Sequence, residues 1–198
     1  PDVGGGFGAK IGADPEFALV AQLARITGRA VRWSETRSEN MTGMLQGRAQ
    51  IQTITIGGNR NGDVLAYRLD VLADAGAYPR LGMFLPYFTR QMAPGVYDIP
   101  KVESRARTVV TTTTSIGAYR GAGRPEAMHV IERMLDIAAR ELGIDRLEIR
   151  RRNLIRSEQL PYRNPMGLTY DSGDFAGNME RAVELSDWHG FEIRDRKS

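Results

Sequence analysis

Residues 102–143 carry the clearest secondary-structure pattern of the sequence and read VESRARTVVTTTTSIGAYRGAGRPEAMHVIERMLDIAARELG. Its first part is rich in valine and threonine, which predicts a strand over Val102–Ser115. Arg124–Glu126 then opens a helix, because proline is tolerated in the first helical turn and an early acid complements the helix dipole. Apolar residues follow at helical spacing until Gly143, which is suited to ending a helix. The stripe consists of Ala127, Ile131, Met134, Leu135, Ala138 and Leu142.

On both sides of this segment, helical and strand patterns alternate irregularly, which predicts an α+β fold. Asp14 is suited to capping a helix that begins at Pro15 and ends before Gly28. Two segments of period-two alternation flank a turn at 59–62 and predict a β-hairpin. The remaining predicted elements are a short buried strand over 30–33, a loop or turn of helix over 34–40, hairpin strands over 47–56 and 64–73, a long ordered loop with one short helix over 76–100, and helices over 145–153 and from Ser172 or Asp174 to about Trp188.

Composition sets the broad class of the protein. The chain has 198 residues with 41% hydrophobic and 26% charged side chains, which is typical of a globular domain and argues against a fibrous or low-complexity chain. It contains no cysteine, which excludes disulfides, thiolate metal ligands and cysteine nucleophiles within this stretch. No run of 18 apolar residues occurs, so we expect no membrane span. No internal repeat or linker divides the sequence, and we expect residues 1–198 to act as one unit.

A glycine-rich loop, Gly4–Gly8, precedes the first predicted helix. Glycines allow the backbone to approach a ligand and to direct N–H groups toward an oxyanion or a metal-oxo group. The loop is not a dinucleotide-binding fingerprint, because the G-x-G-x-x-G spacing fails at Ala9. It is not a P-loop either, because Ile11 follows Lys10. On its own, a simple glycine turn before a helix explains it equally well.

A second loop, Gly117–Arg124, lies between the strand and the long helix. Its small residues flank two guanidinium groups, and backbone N–H groups beside arginine suit an anionic ligand. The alternative is a tight strand-to-helix turn in which Tyr119 belongs to the core and the arginines are surface charges.

Taken together, the two loops resemble a specific pair of motifs. Gly-Gly-Gly-Phe-Gly from Gly4 and Ala-Tyr-Arg-Gly from Ala118 are similar to the paired active-site signatures of the xanthine dehydrogenase/aldehyde oxidase family of molybdenum hydroxylases. Their order and their separation of about 110 residues match as well. Further similar segments are Asp74–Tyr78, the start of the helix at Arg124, and Arg150–Leu154. Within the family, the pattern resembles the large subunits of the carbon monoxide dehydrogenase type.

The resemblance implies a molybdenum ion held by a pterin dithiolene, in the cytosine dinucleotide form if the source is bacterial. Such a cofactor inserts oxygen at a carbon of a small-molecule substrate while a hydride leaves that carbon. The resemblance further implies FAD and iron–sulfur clusters on separate flavin and iron–sulfur partner subunits, and a cytoplasmic location. It places Phe7 and Arg120 beside the molybdenum, without ligating it. The implied cofactor-binding residues are Gly5, Gly6, Phe7, Gly8, Tyr119, Arg120 and Gly121, and the implied substrate residues are Ile11, Arg80 and Ala122.

The chain departs from the family pattern at several positions. Copper-containing carbon monoxide dehydrogenases place a cysteine where Gly121 stands, so we expect no oxidation of carbon monoxide. Purine-oxidising members have an acid where Ile11 stands and an aromatic residue where Ala122 stands, so we expect no activity on xanthine. The family's general base is a glutamate in a Gly-x-Gly-Glu motif, and residues 1–198 contain no such motif. We therefore expect no catalytic base here and interpret the chain as the first portion of the cofactor-binding domain.

Other candidate features have simpler explanations. His129 and His189 are the only histidines, and neither lies at metal-ligand spacing from another ligand. Arg146 and Arg150–Arg152 are a basic cluster that suits nucleic acid, but acids at i,i+4 spacing favour surface ion pairs, and we expect no nucleic-acid partner. The aromatic cluster near Arg80 is suited to a substrate channel or to the core; it consists of Met83, Phe84, Tyr87 and Phe88. An inert binding or structural module is the alternative function for the isolated chain.

Overall fold

The strand, loop and long helix predicted at the centre of the sequence occur in the computed structural model, which describes residues 4–12 and 14–191. The helix, α4, covers Arg124–Leu142, with Pro125 in its first turn and Gly143 immediately after it. Its inward stripe is spaced by four residues, and Ala127, Ile131, Leu135 and Ala139 are all fully buried. The prediction of this helix is confirmed, with Ala139 in the core rather than Ala138.

The remaining helices and strands combine into the α+β fold that the sequence predicts. Three strands form one sheet in the order β1-β2-β3, and two short strands form a second sheet in which Tyr162 pairs with Tyr170. The elements are α1 Pro15–Thr27, α2 Arg37–Gly43, β1 Gln50–Gly58, β2 Val64–Asp74, α3 Leu85–Gln91, β3 Lys101–Val109, α5 Arg146–Asn153, β4 Tyr162–Arg163, β5 Thr169–Tyr170 and α6 Phe175–Leu185, with short 3-10 turns at Leu81–Phe84, Ser157–Gln159 and Trp188–Gly190.

Within this fold, the chain divides into two compact units. The first comprises residues 1–53, 70–90 and 105–127, and therefore includes both glycine-rich loops. The second comprises residues 54–69, 91–104 and 128–198. In the first unit, Leu85, Ile116 and Ala118 form a buried cluster against which Ala49 and Phe88 pack. This cluster supports the second loop, because Ala118 belongs to both.

In the second unit, a hydrogen-bonded polar network connects α4 and α5 beside their buried apolar side chains. Arg150 contacts Glu132 at 2.7 Å and Asp136 at 3.0 Å, while the Tyr97 hydroxyl donates to Glu132 at 2.6 Å. Burial first, and then this hydrogen bond, raises the pKa of the Tyr97 hydroxyl, which therefore stays protonated as a donor.

Two strand predictions differ from the structure. Residues 30–33 are not a strand; they run as irregular backbone, and Trp33 is exposed. A strand needs a partner, and within the described residues none pairs with this segment. β3 ends at Val109 rather than at Ser115, because the hydroxyls of Thr111 and Thr113 bind the Asp74 carboxylate and draw the chain out of regular pairing.

Candidate functional site

The Gly4–Gly8 loop is a tight turn with unusual backbone angles. Gly5, Phe7 and Gly8 have φ values of 103°, 50° and 88°, in the left-handed region that glycine adopts without cost. The amides of Ala9 and Lys10 both donate to the Gly6 carbonyl, which closes the turn. Phe7 is the exception to the glycine pattern, and its side chain is 54% exposed. The backbone of this loop is therefore accessible on the face where the glycines lack side chains.

The second loop has the same character at its end. Gly121, Ala122 and Gly123 all have positive φ, at 101°, 43° and 88°. Gly123 cannot carry a side chain, because a Cβ there would lie 2.8 Å from the Leu85 carbonyl oxygen. Tyr119 is 47% exposed, so its predicted alternative role as a core residue is wrong.

The two loops lie against each other although more than 100 residues separate them in sequence. The Arg120 amide donates to the Phe7 carbonyl at 2.7 Å. A Cβ on Gly8 would lie 2.9 Å from the Ala118 carbonyl oxygen, so only glycine allows this close approach. The Arg120 guanidinium lies 6.0 Å from the centre of the Phe7 ring, within the range of a cation–π contact.

The joined loops present hydrogen-bond donors that no described residue accepts. Within residues 4–12 and 14–191, the backbone amides of Gly5, Gly6, Phe7 and Gly8 and of Gly121 donate to no protein acceptor. The Arg120 guanidinium has no ion pair with any described acid either. Successive free amides beside an arginine form a site for an electronegative group such as an oxo or phosphate oxygen. The donor set therefore suits the oxygen-rich pterin cofactor that the resemblance implies.

Comparisons with known proteins agree with this geometry. The family of molybdopterin cofactor-binding domains matches residues 1–154, and so includes both loops. This chain belongs to that family. The resemblance drawn from the two loop motifs is thereby confirmed.

This molybdopterin cofactor-binding domain has relatives among large oxidoreductase subunits. It is 35% identical to the carbon monoxide dehydrogenase large chain of Hydrogenophaga pseudoflava, over 95% of this chain and 24% of that protein. It is 34% identical to the nicotine 6-hydroxylase large subunit of Paenarthrobacter nicotinovorans, over 96% of this chain and 24% of that protein. It superposes on the crystal structure of quinoline 2-oxidoreductase from Pseudomonas putida 86 with a TM-score of 0.89 at 34% identity, over 100% of this chain and 25% of that one. The domain thus spans about a quarter of the length of these proteins.

Asp74 anchors the segment that leads into the second loop of the molybdopterin cofactor-binding domain. Its carboxylate accepts hydrogen bonds from the Gly76 amide at 2.7 Å and from the hydroxyls of Thr111 and Thr113 at 2.8 and 2.9 Å. The Gly76 hydrogen bond is the main reason why the pKa of Asp74 lies below its usual range. Asp74 thereby ties the end of β2 to residues 111–113.

The three predicted substrate residues lie in three different local environments. Ile11 is exposed beside the first loop, and Ala122 packs against the Leu85 cluster. Arg80 forms an ion pair with Asp14 at 2.6 Å. Asp14 occupies the N-cap position of α1, but its side chain makes no capping hydrogen bond, so the predicted capping role is wrong. Arg80 and Asp14 line a cavity of about 1070 Å³ together with Lys10, Trp33 and Tyr78.

Other sequence candidates are explained by local packing. Met83, Phe84 and Tyr87 are about half exposed, whereas Phe88 packs on the buried cluster, so the core interpretation holds only for Phe88. Three arginines of the basic cluster form ion pairs: Arg151 with Glu180, Arg152 with Glu148, and Arg150 as described above. The fourth, Arg146, has its guanidinium 5.0 Å from the centre of the Trp188 ring. His129 is exposed, and among the described residues no group of three or more His, Cys, Asp or Glu side chains is placed to hold a metal ion. In the same part of the chain, no helix has the length and apolar character needed to cross a bilayer.

Arg48 belongs to the site, but no sequence motif points to it. Arg48 contacts the second loop and Glu126, at separations of 72 and 78 residues in sequence. It follows Gly47 at the beginning of the strand predicted over 47–56, where a lone arginine resembles any surface charge. Only the three-dimensional contact distinguishes it.

Proposed function

We propose that this domain supplies the two loops that border the molybdenum cofactor in a larger molybdenum hydroxylase, which oxidises an aldehyde, an N-heterocycle or a related small molecule. The observation that carries the proposal is the contact between the loops, in which the Arg120 amide donates to the Phe7 carbonyl at 2.7 Å. This contact holds the Gly4–Gly8 loop against the Gly117–Arg124 loop. Family membership and the names of the relatives, which include a nicotine hydroxylase and a quinoline oxidoreductase, support the same proposal.

The residues that would hold the cofactor are those with unpaired donors or open backbone. The bound molybdenum–pterin would supply the two-electron oxidation and the insertion of an oxygen atom from water at a substrate carbon. The amides of Gly5–Gly8 and Gly121 would donate to its oxygen atoms, and Phe7 and Arg120 would lie beside the metal without ligating it. Tyr119 would cover the side of the pocket, and Ile11, Arg80 and Ala122 would contact substrate. The catalytic base is not among the residues we assign here.

Partner subunits complete the electron path in this proposal. The overall reaction, in which a C–H bond and water become a C–OH group, releases two electrons and two protons. FAD and iron–sulfur clusters on partner subunits would accept these electrons, and the pterin would carry the cytosine dinucleotide extension if the source is bacterial. An inert binding or structural module remains the alternative for the isolated chain.

The experiment is performed on the complete enzyme that contains this domain. Elemental analysis should find molybdenum, and turnover of aldehydes and N-heterocycles with an artificial acceptor should transfer ¹⁸O from labelled water into the product. Absence of molybdenum together with absence of turnover across both substrate classes would refute the proposal.

A further inference from the structure

We propose that Arg48 is a positioning residue. By binding the Arg120 carbonyl and Glu126, it holds the second loop in place and sets the orientation of the Arg120 side chain and of the Gly121 N–H group. This inference rests on the function proposed above and adds a residue that neither loop motif contains. Arg48 lies between α2 and β1, in the same compact unit as both loops.

Arg48 contacts three separate parts of the loop and of the helix that follows. Its Nη2 donates to the Arg120 carbonyl at 2.7 Å, and its Nη1 donates to the Glu126 carboxylate at 3.1 Å. Its guanidinium also lies 5.4 Å from the centre of the Tyr119 ring. Because the guanidinium group is planar and its donors have a fixed geometry, Arg48 holds these two acceptors at a fixed separation.

With this contact, both backbone polar groups of Arg120 are hydrogen-bonded. Its amide is bound by Phe7 of the first loop, and its carbonyl is bound by Arg48. The Arg120–Gly121 peptide is trans, so the Gly121 N–H points away from the carbonyl that Arg48 holds. The amide that no described residue accepts is therefore directed away from Arg48, and the Arg120 side chain starts from a backbone that is fixed on both sides.

The surroundings of Arg48 hold it in place. Its φ is 71°, an unusual value for a residue with a side chain, which persists only where the surroundings determine it. The Glu126 side chain that it contacts is only 6% exposed, whereas that of Arg48 is 37% exposed. The adjacent Gly47 is closely packed, because a Cβ there would lie 3.0 Å from the Tyr119 Cβ, a tight contact that Tyr119 would have to relieve by a small shift. The segment 46–48 is also paired with the segment before the loop through Gln46 and Ser115.

Arg48 could instead serve only to neutralise the Glu126 carboxylate, and two variants and their combination distinguish this role from the positioning role. In the complete enzyme, Arg48→Met should keep its molybdenum but lose turnover by about 10–100-fold, as is usual when a group that orients a site is removed. Adding Glu126→Gln removes the unpaired buried carboxylate and should restore the melting temperature without restoring kcat. Glu126→Gln alone keeps an acceptor for Arg48 and should remain close to wild type. Arg68→Met, which breaks an exposed pair with Glu103 at 2.8 Å, is the matched control.

Hydrogen exchange gives a readout that does not depend on the cofactor. The amides of residues 118–123 should exchange faster in Arg48→Met and in the double variant than in wild type, whether or not cofactor is loaded. Recovery of kcat in the double variant, or unchanged exchange of this loop, would overturn the positioning role. If Arg48→Met fails to accumulate, the double variant carries the same test. A wild-type enzyme without molybdenum would refute the proposed function alone, and the exchange comparison would still decide the role of Arg48.

Discussion

At the scale of single residues, the glycines of the first loop differ in what they make possible. Gly8 serves the contact between the loops, because its φ is 88° and a Cβ would approach the Ala118 carbonyl. Gly6 has no such constraint, since a Cβ there would meet only the Lys10 Cβ at 3.6 Å, an ordinary contact. The fold therefore tolerates a side chain at Gly6, and any need for glycine there comes from a ligand.

This difference gives a prediction for Gly6→Val in the complete enzyme. The far-UV circular dichroism spectrum should stay unchanged, while molybdenum content or turnover is lost, because the side chain fills the space that the cofactor needs. Gly4→Val is the matched control, since a Cβ on Gly4 has nothing within 4 Å. Normal molybdenum content and normal turnover in Gly6→Val would contradict the placement of the cofactor at this loop.

A second prediction at this scale concerns Gly121 and carbon monoxide. The resemblance implies a cysteine at this position in copper-containing carbon monoxide dehydrogenases, and residues 1–198 have glycine there and contain no cysteine. The complete enzyme should therefore reduce no dye with carbon monoxide and should hold no copper at the position of Gly121. Dye reduction with carbon monoxide, together with copper found beside the molybdenum, would show this to be wrong.

At the scale of elements, the connection from β2 to the second loop depends on one carboxylate. The pKa of Asp74 is lowered in the folded state, mainly by the Gly76 amide, so its contribution to stability is complete above its ordinary pKa of about 3.9. That contribution is lost as the pH falls below this value and through the folded pKa. Asp74→Asn should therefore lower the melting temperature at pH 7 and flatten its decline below about pH 4. Asp70→Asn, in an exposed pair with Arg105 at 3.9 Å, should leave this decline in place.

The polar network of α4 and α5 gives a stability prediction in the second unit. The Arg150 side chain is 15% exposed and serves Glu132 and Asp136, which are more accessible. Arg150→Met should lower the free energy of unfolding by about 2 kcal/mol, less than for a fully buried pair because water reaches both acids. Arg156→Met, which breaks an exposed pair with Glu158, should change it by less than about 0.5 kcal/mol. Equal effects in urea denaturation would indicate that the network adds nothing beyond a surface pair.

Helix boundaries could be predicted from the sequence, whereas strand pairing between distant segments could not. Helices α1, α4, α5 and α6 were predicted nearly to their ends, because prolines, caps such as Asp145 and terminal glycines act within a few residues of each other. The strand expected over 30–33 and the true end of β3 depend on partners distant in sequence, which local patterns do not contain. Arg48 was missed for the same reason, whereas the two loops were found because each is a compact motif.

At the scale of the whole molecule, the site is open on the side that faces away from its own core. Phe7 and Tyr119 are about half exposed, and α1, which follows the first loop, has no buried residue. A cofactor pocket normally encloses most of its ligand, so the proposed function leads us to expect that further protein covers the site in the complete enzyme. Residues 1–198 alone should therefore bind the pterin weakly or not at all.

The exposure of the site and the ion pairs formed by three acids predict that residues 1–198 alone do not hydroxylate a substrate. A base must reach the reacting group by a hydrogen bond, and three acids of the described residues are engaged in ion pairs: Asp14 with Arg80, Glu126 with Arg48 and Glu132 with Arg150. Glu16 lies on exposed helix α1, in the lining of the large cavity. Assays with aldehydes and N-heterocycles, an artificial acceptor and added cofactor should therefore give background rates from this chain and turnover from the complete enzyme. Turnover from the chain alone would mean that Glu16 provides the base or that one of these ion pairs opens to do so, and Glu16→Gln, Asp14→Asn, Glu126→Gln and Glu132→Gln would then identify which acid acts.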